Sequence, residues 1–135
     1  MASFRASVRL VAGVVSESLI AIIDDDDSLR SALVGLLRSH GYEAEGYPSG
    51  EAFLAVSSSA DCIVTDIHMP GISGIELKEE LVRRGDLTPV IMITARSDAA
   101  LEDRARASGA IAFLRKPFDA GDLVRCIESA LRESS

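Results

Sequence analysis

The chain has 135 residues, enough for one domain with a substantial core and crowded for two. Hydrophobic residues make up 47% and charged residues 26%, the balance of a globular protein. Acids outnumber Lys and Arg by 21 to 14, and the resulting net charge of −7 argues against direct binding of nucleic acid, whose phosphates need a basic face.

The opening stretch MASFRASVRLVAGVVSES sets Arg5 and Arg9 before an apolar patch, as a signal peptide does. The uninterrupted patch, Leu10 to Val15, is shorter than a usual signal core, and no other stretch approaches the ~20 apolar residues of a membrane span. Residues 1–17 are therefore read as an N-terminal extension. It is either a frayed tail or a short amphipathic helix on Phe4, Val8, Val11 and Val15 that docks on the domain or on a second copy.

Five apolar runs follow: LIAII (19–23), YEAEGY (42–47), DCIVTD (61–66), VIMIT (90–94) and IAFL (111–114). The first, third and fourth are continuous, as in central strands of a parallel sheet covered on both faces. The second alternates and reads as an edge strand. Between them, Leu29, Leu33, Leu36 and Leu37 recur at helical spacing up to the glycine stop in HGY (40–42). Asp26 and Asp27 are read as leading into this helix and not as ligands, with Asp27 or Ser28 as its cap. Ser49 with GEAFLAV predicts a short second helix and SGIELKEELVRRG (73–85) a third. The fourth, SDAALEDRARASG (97–109), has only Leu101 as a large anchor and is the most weakly packed, hence the readiest to move. Leu123, Ile127, Ala130 and Leu131 form the apolar stripe of the last. Cys62 and Cys126 have no Cys or His neighbour at metal or redox spacing, and both read as buried thiols in a reducing cytosol.

A β-α repeat of this kind gives an α/β fold with a parallel sheet, in which ligands bind beyond the carboxyl ends of the strands. The residues ending the strands are Asp24 and Asp25, Asp66, Thr94, and Lys116 before Pro117. If strands one and three are neighbours, their carboxylates repel one another unless a divalent cation sits between them. An all-oxygen set suits Mg²⁺ or Mn²⁺ better than zinc. A calcium loop of the EF-hand type fails, because counting from Asp24 puts Leu29 at the required glycine and Gly35 at the required glutamate. A carboxylate beside Mg²⁺ can accept a phosphoryl group, with Lys116 and the Thr94 hydroxyl neutralising charge. Asp66, alone at its strand end and followed by the loop IHMPG, is the candidate nucleophile.

Over residues 18–133 the motifs IIDDDDSLR, GYEAEGYPSGEAFL, IVTDIHMPGISGIEL, PVIMITA and GAIAFLRKPF, in this order and spacing, resemble the receiver domain of two-component response regulators. SGEAFL with FLRKPF is similar to the FixJ-like branch of these CheY-like domains. The resemblance implies a flavodoxin-like sheet of order 2-1-3-4-5 with helices on both faces. It makes Asp66 the phosphoacceptor, with Asp25 and Asp66 as direct Mg²⁺ ligands, Asp24 ligating directly or through water, and the His68 backbone carbonyl completing the set. Thr94, Ala95 and Lys116 would bind the phosphoryl group, and Thr94 with Phe113 would form the switch. The switch alters the surface of the fourth helix, fifth strand and fifth helix, and the group comes from a sensor histidine kinase or a phosphotransfer protein. A downstream protein or output domain, or a phosphorylation-dependent homodimer, would read that surface in the cytoplasm. The chain would be a single-domain regulator or the receiver part of a longer protein.

Two other classes compete with this switch, which is no enzyme beyond its self-catalysed phosphotransfer and autodephosphorylation. A phosphatase of the haloacid dehalogenase type needs a second acid two residues after the first, where this chain has His68. A pseudo-receiver that never accepts phosphate is opposed by the complete set Asp24, Asp25, Asp66, Thr94 and Lys116. His68 and Arg96 are the individual positions: each either reaches the water that attacks the phosphoryl group or is simply solvent-exposed.

Overall fold

A computed structural model describes residues 18–56, 58–96 and 98–133. The extension 1–17 and its proposed helix lie outside them. Parallel strands β1 (Leu19–Ile23), β2 (Glu43–Tyr47), β3 (Cys62–Asp66), β4 (Val90–Thr94) and β5 (Ala112–Arg115) form one sheet in the order β2-β1-β3-β4-β5. They alternate with α1 (Asp27–Ser39), α2 (Gly50–Leu54), α3 (Gly74–Arg83), α4 (Ala99–Ala107) and α5 (Ala120–Glu133). This is the flavodoxin-like arrangement expected from the sequence.

The apolar patterns sort the strands by position. Every residue of β1, β3 and β4 is buried, because helices cover both faces, whereas edge strand β2 buries only Ala44 and the opposite edge β5 is at most half-buried. Side chains alternate across the sheet, so it carries two cores. Ile20, Ile22, Val64 and Ile91 pack beneath Leu33 and Leu37 of α1 and Leu123 and Ile127 of α5. Ala21, Ile23, Ile63 and Met92 pack beneath Phe53 of α2, Ile75, Leu77 and Leu81 of α3, and Leu101 and Ala105 of α4.

The helix starts follow local chemistry, with one correction to the expected caps. Asp26, not Asp27 or Ser28, caps α1: its backbone is extended and its Oδ1 accepts from the Leu29 amide at 3.0 Å. Asp27 is already helical and pairs with Arg30 across one turn at 2.6 Å. Ser49 caps α2 as expected, Ser73 and Glu76 form a reciprocal capping box on α3, and Asp98 caps α4. The stop of α1 is Gly41 at φ +89°, a conformation that a side chain would strain.

A second correction concerns the thiols. Cys62 is buried in β3, and desolvation pushes its thiol up to about 12. Cys126 is only half-buried, in a cleft lined by Ile111, Leu114 and Ala130, because α5 covers the edge strand β5 incompletely. Among the described residues no helix is long and apolar enough to cross a membrane.

Candidate functional site

The chain runs from β1 outward to β2 on one side, whereas β3 pairs with β1 on the other, so the carboxyl ends of β1 and β3 open beside each other. The turn after β1 is tied down at several points. Asp24 donates its amide to the Tyr47 carbonyl at 3.1 Å, its carbonyl accepts from Arg30 Nη1 at 2.7 Å, and its Oδ1 accepts from the Asp26 amide at 2.9 Å. Asp66 is the last residue of β3, and its amide-side neighbour Thr65 turns its hydroxyl onto the Asp66 carbonyl.

This geometry brings Asp24, Asp25 and Asp66 together, with one carboxylate oxygen of each within 4.8 Å of the others. Asp24 and Asp66 are 2% and 8% exposed, while Asp25 faces solvent. Lys116 follows β5, where its amide donates to the Thr94 carbonyl at 2.8 Å and its peptide bond to Pro117 is cis. Its Nζ lies 3.5 Å from Asp66 Oδ2 and 3.7 Å from Asp24 Oδ2. Three carboxylates thus cluster beside one ammonium, which lies against two of them. Burial pushes the Asp66 carboxyl above the usual range, Lys116 opposes that shift, and Asp24 adds to it. A cluster of hard oxygens with excess negative charge and one solvent-facing member fits an octahedral cation such as Mg²⁺ or Mn²⁺, which retains water.

Thr94, at the end of β4, is fully buried, and its Oγ1 accepts from the Arg96 amide at 3.0 Å. Phe113 pairs in register with Met92 and packs half-buried on the core beneath α4. Thr94 lies two residues beyond Met92 on the same face of the sheet. Ala95, His68 and Arg96 are exposed. Asp26 and Asp27 lie outside the acidic cluster, in keeping with their part in starting α1.

The sequence reading missed the residues that support these groups. Gly74 opens α3 so close to β3 that a Cβ would lie 2.5 Å from the Asp66 carbonyl oxygen. A glycine at a helix start already rich in capping signals is the trace such a close approach leaves in a sequence. Arg30 folds over Gly46 to reach the Asp24 carbonyl, and the Glu51 carboxylate accepts from the Ile72 amide at 2.9 Å. The first contact spans six residues and the second 21, and periodicity carries no sign of either.

Residues 20–128 match the model of the response regulator receiver domain. The chain belongs to that family. The receiver domain is 43% identical over 122 residues to the transcriptional regulatory protein FixJ of Azorhizobium caulinodans, an alignment covering 88% of this chain and 58% of that protein. It thus spans little more than half the length of the curated relatives it matches. A crystal structure of FixJ-N is similar with a TM-score of 0.80 at 32% identity, covering 87% of this chain and 95% of that one. The chemotaxis response regulator CheY4 of Vibrio cholerae is similar with a TM-score of 0.79 at 27% identity, covering 86% of this receiver domain and all of that chain.

Proposed function

We propose that residues 18–133 form a phosphoacceptor switch that takes a phosphoryl group onto Asp66 from a phosphohistidine of a sensor histidine kinase or phosphotransfer protein. The observation that carries this reading is the cluster of Asp24, Asp25 and Asp66, with Lys116 Nζ 3.5 Å from Asp66. In the transfer, an Asp66 carboxylate oxygen attacks phosphorus and an O–P bond forms. The P–N bond breaks, and the histidine nitrogen keeps the bonding pair and takes up a proton.

Asp24, Asp25, Asp66 and the His68 backbone carbonyl would hold Mg²⁺ or Mn²⁺, which when bound supplies charge neutralisation for the phosphoryl oxygens. The chain's own groups do the rest. Lys116 offers its ammonium to a phosphoryl oxygen, Ala95 leaves room beside it, and Thr94, whose oxygen accepts from Arg96, retains its hydroxyl proton to donate. Movement of Thr94 toward the phosphoryl group frees space on the face that Phe113 occupies, and the ring follows. The surface formed by α4, β5 and α5 changes with it. In support, α4 is anchored by only Leu101 and Ala105.

The switched surface engages a downstream protein, an output domain or a second copy in the cytoplasm. The domain is a signalling device rather than an enzyme, and it resets by catalysing hydrolysis of its own acyl phosphate. The exposure of His68 and Arg96 lets both side chains contact the water that resets it. Substituting either is expected to change the autodephosphorylation rate and leave phosphorylation intact; unchanged rates in both variants would remove that role.

The deciding experiment is intact-mass measurement after incubation with Mg²⁺ and acetyl phosphate. One covalent phosphoryl adduct is expected, absent without the divalent ion and absent in Asp66→Asn. No adduct, or one that survives Asp66→Asn, overturns the reading.

A further inference from the structure

The loop after the phosphoacceptor, residues 67–73, must hold a fixed path if the His68 carbonyl is to face a cation. Its ends are held at the sheet: the Ile67 amide donates to the Ile93 carbonyl at 2.9 Å, and the Gly74 amide returns to the Ile67 carbonyl at 3.0 Å. Near its tip the loop meets α2, which comes from a different part of the chain. The Glu51 Oε2 accepts from the Ile72 amide at 2.9 Å, across 21 residues.

Two glycines flank that contact. Gly71 has φ +81°, and a Cβ there would lie 2.2 Å from Glu51 Oε2, so the loop backbone passes directly against the carboxylate. A Cβ on Gly50 would lie 2.7 Å from Ile72 Cδ1, so the Ile72 side chain sits on the bare backbone that opens α2. The positive φ favours glycine at position 71, a side chain at position 50 would push the Ile72 side chain aside, and the hydrogen bond lies between the two. An acid in the first turn of a helix is ordinarily explained by the helix dipole alone. That explanation gives no reason for the carboxylate to reach a backbone amide in another loop or for the paired glycines.

We propose that Glu51 is a positioning residue for the cation site, holding through the Ile72 amide the loop that carries the His68 carbonyl. The inference rests on the cation site proposed above. Its requirement is an acceptor oxygen at this point and not a negative charge, which separates it from the dipole explanation. Gln keeps the acceptor and drops the charge, whereas Ala drops both.

The test is the affinity of the whole chain for Mn²⁺ alone, read from the free-ion signal in electron paramagnetic resonance. Mg²⁺ alone, measured by calorimetry, provides the cross-check. Glu51→Ala is expected to weaken binding by about threefold to tenfold, the worth of one hydrogen bond, and Glu51→Gln to stay within about twofold of the parent. The Ile72 amide resonance should move in Glu51→Ala and hold its place in Glu51→Gln. Unaltered affinity in Glu51→Ala, or an equal loss in both variants, overturns the proposal while leaving the cation site intact. A parent chain that binds neither ion overturns the cation site and this inference together.

Discussion

The helices α5 and α4 flank the same half of the sheet from opposite faces and are held very differently. Leu123, Ile127 and Ala130 of α5 are at most 1% exposed and share a core with α1. On α4 only Leu101, at 6%, and Ala105 are buried, and its ion pair to β5, between Glu102 and Arg115 at 3.4 Å, is exposed. Each buried aliphatic side chain contributes about 1.5–3 kcal/mol, while an exposed, solvent-screened ion pair adds little. The layer of α1 and α5 is therefore built for burial. On the opposite face, next to Thr94 and Phe113, the domain gives up stability where the proposed switch has to move.

The largest expected effect tests that contrast directly. Leu37→Ala in α1 should cost about 2–5 kcal/mol in urea unfolding and loosen the domain as a whole. Leu101→Ala should cost about 2 kcal/mol and speed hydrogen exchange chiefly in α4. Equal losses, with exchange raised everywhere in both, would break the comparison.

Gly74→Ala comes next, at about 1–3 kcal/mol, because the new methyl group must displace either α3 or the Asp66 carbonyl. It should also slow phosphorylation from acetyl phosphate. A loss of stability with an unaltered phosphorylation rate would show that α3 yields and the site does not.

A gain is expected from Asp66→Asn. Burial first, then Asp24, raise the Asp66 carboxyl in the folded state, with Lys116 opposing. As pH rises from the ordinary carboxylate value through the raised folded value, the unfolded chain loses its proton first. The metal-free fold therefore loses stability across that window and carries the cost at neutral pH. Asp66→Asn should remove it, stabilising the metal-free domain by on the order of 1 kcal/mol, as substitutions at strained functional sites commonly do. The parent should recover about 1.4 kcal/mol with Mg²⁺ at ten times its Kd, and the variant less. Thermal melts with and without Mg²⁺ measure both, and an Asp66→Asn variant less stable than the metal-free parent would contradict the crowding argument.

The smallest effect is expected at Glu102→Gln, which removes the exposed pairs to Arg106 and Arg115. Its urea midpoint should be indistinguishable from the parent's. A clear loss would mean that α4 is fastened to β5 by charge and would weaken the contrast with α5.

Much of this was legible in the chain because it is written in local patterns. The continuous runs LIAII and VIMIT identify central strands, the alternation in YEAEGY identifies an edge, and the lone Leu101 identifies a lightly held helix. The strand-end residues Asp24, Asp25, Asp66 and Lys116 were legible for the same reason, since parallel strands deliver their ends to one edge. Finer placement was not. The helix begins one residue earlier than expected, at an Asp26 cap, because neighbouring aspartates are interchangeable until the turn is built. Cys126 lies beside the buried Ile127, yet incomplete cover at a sheet edge leaves it half-buried. Within IELKEEL nothing sets Lys78 apart from Glu79, although Lys78 is 5% exposed and reaches the Thr88 carbonyl at 3.4 Å.

Hydrophobic period and turn chemistry act over a few residues, so the alternation of elements, the sheet-covering helices and the residue types at the strand ends are written locally in the chain. How near those ends come and what braces them is a matter of packing. The separation of the three carboxylates, Gly74 against the Asp66 carbonyl, Arg30 on the Asp24 carbonyl and Glu51 on the Ile72 amide depend on how elements pack. Packing distances are set by all the side chains between two elements together, and no single stretch of the chain records them.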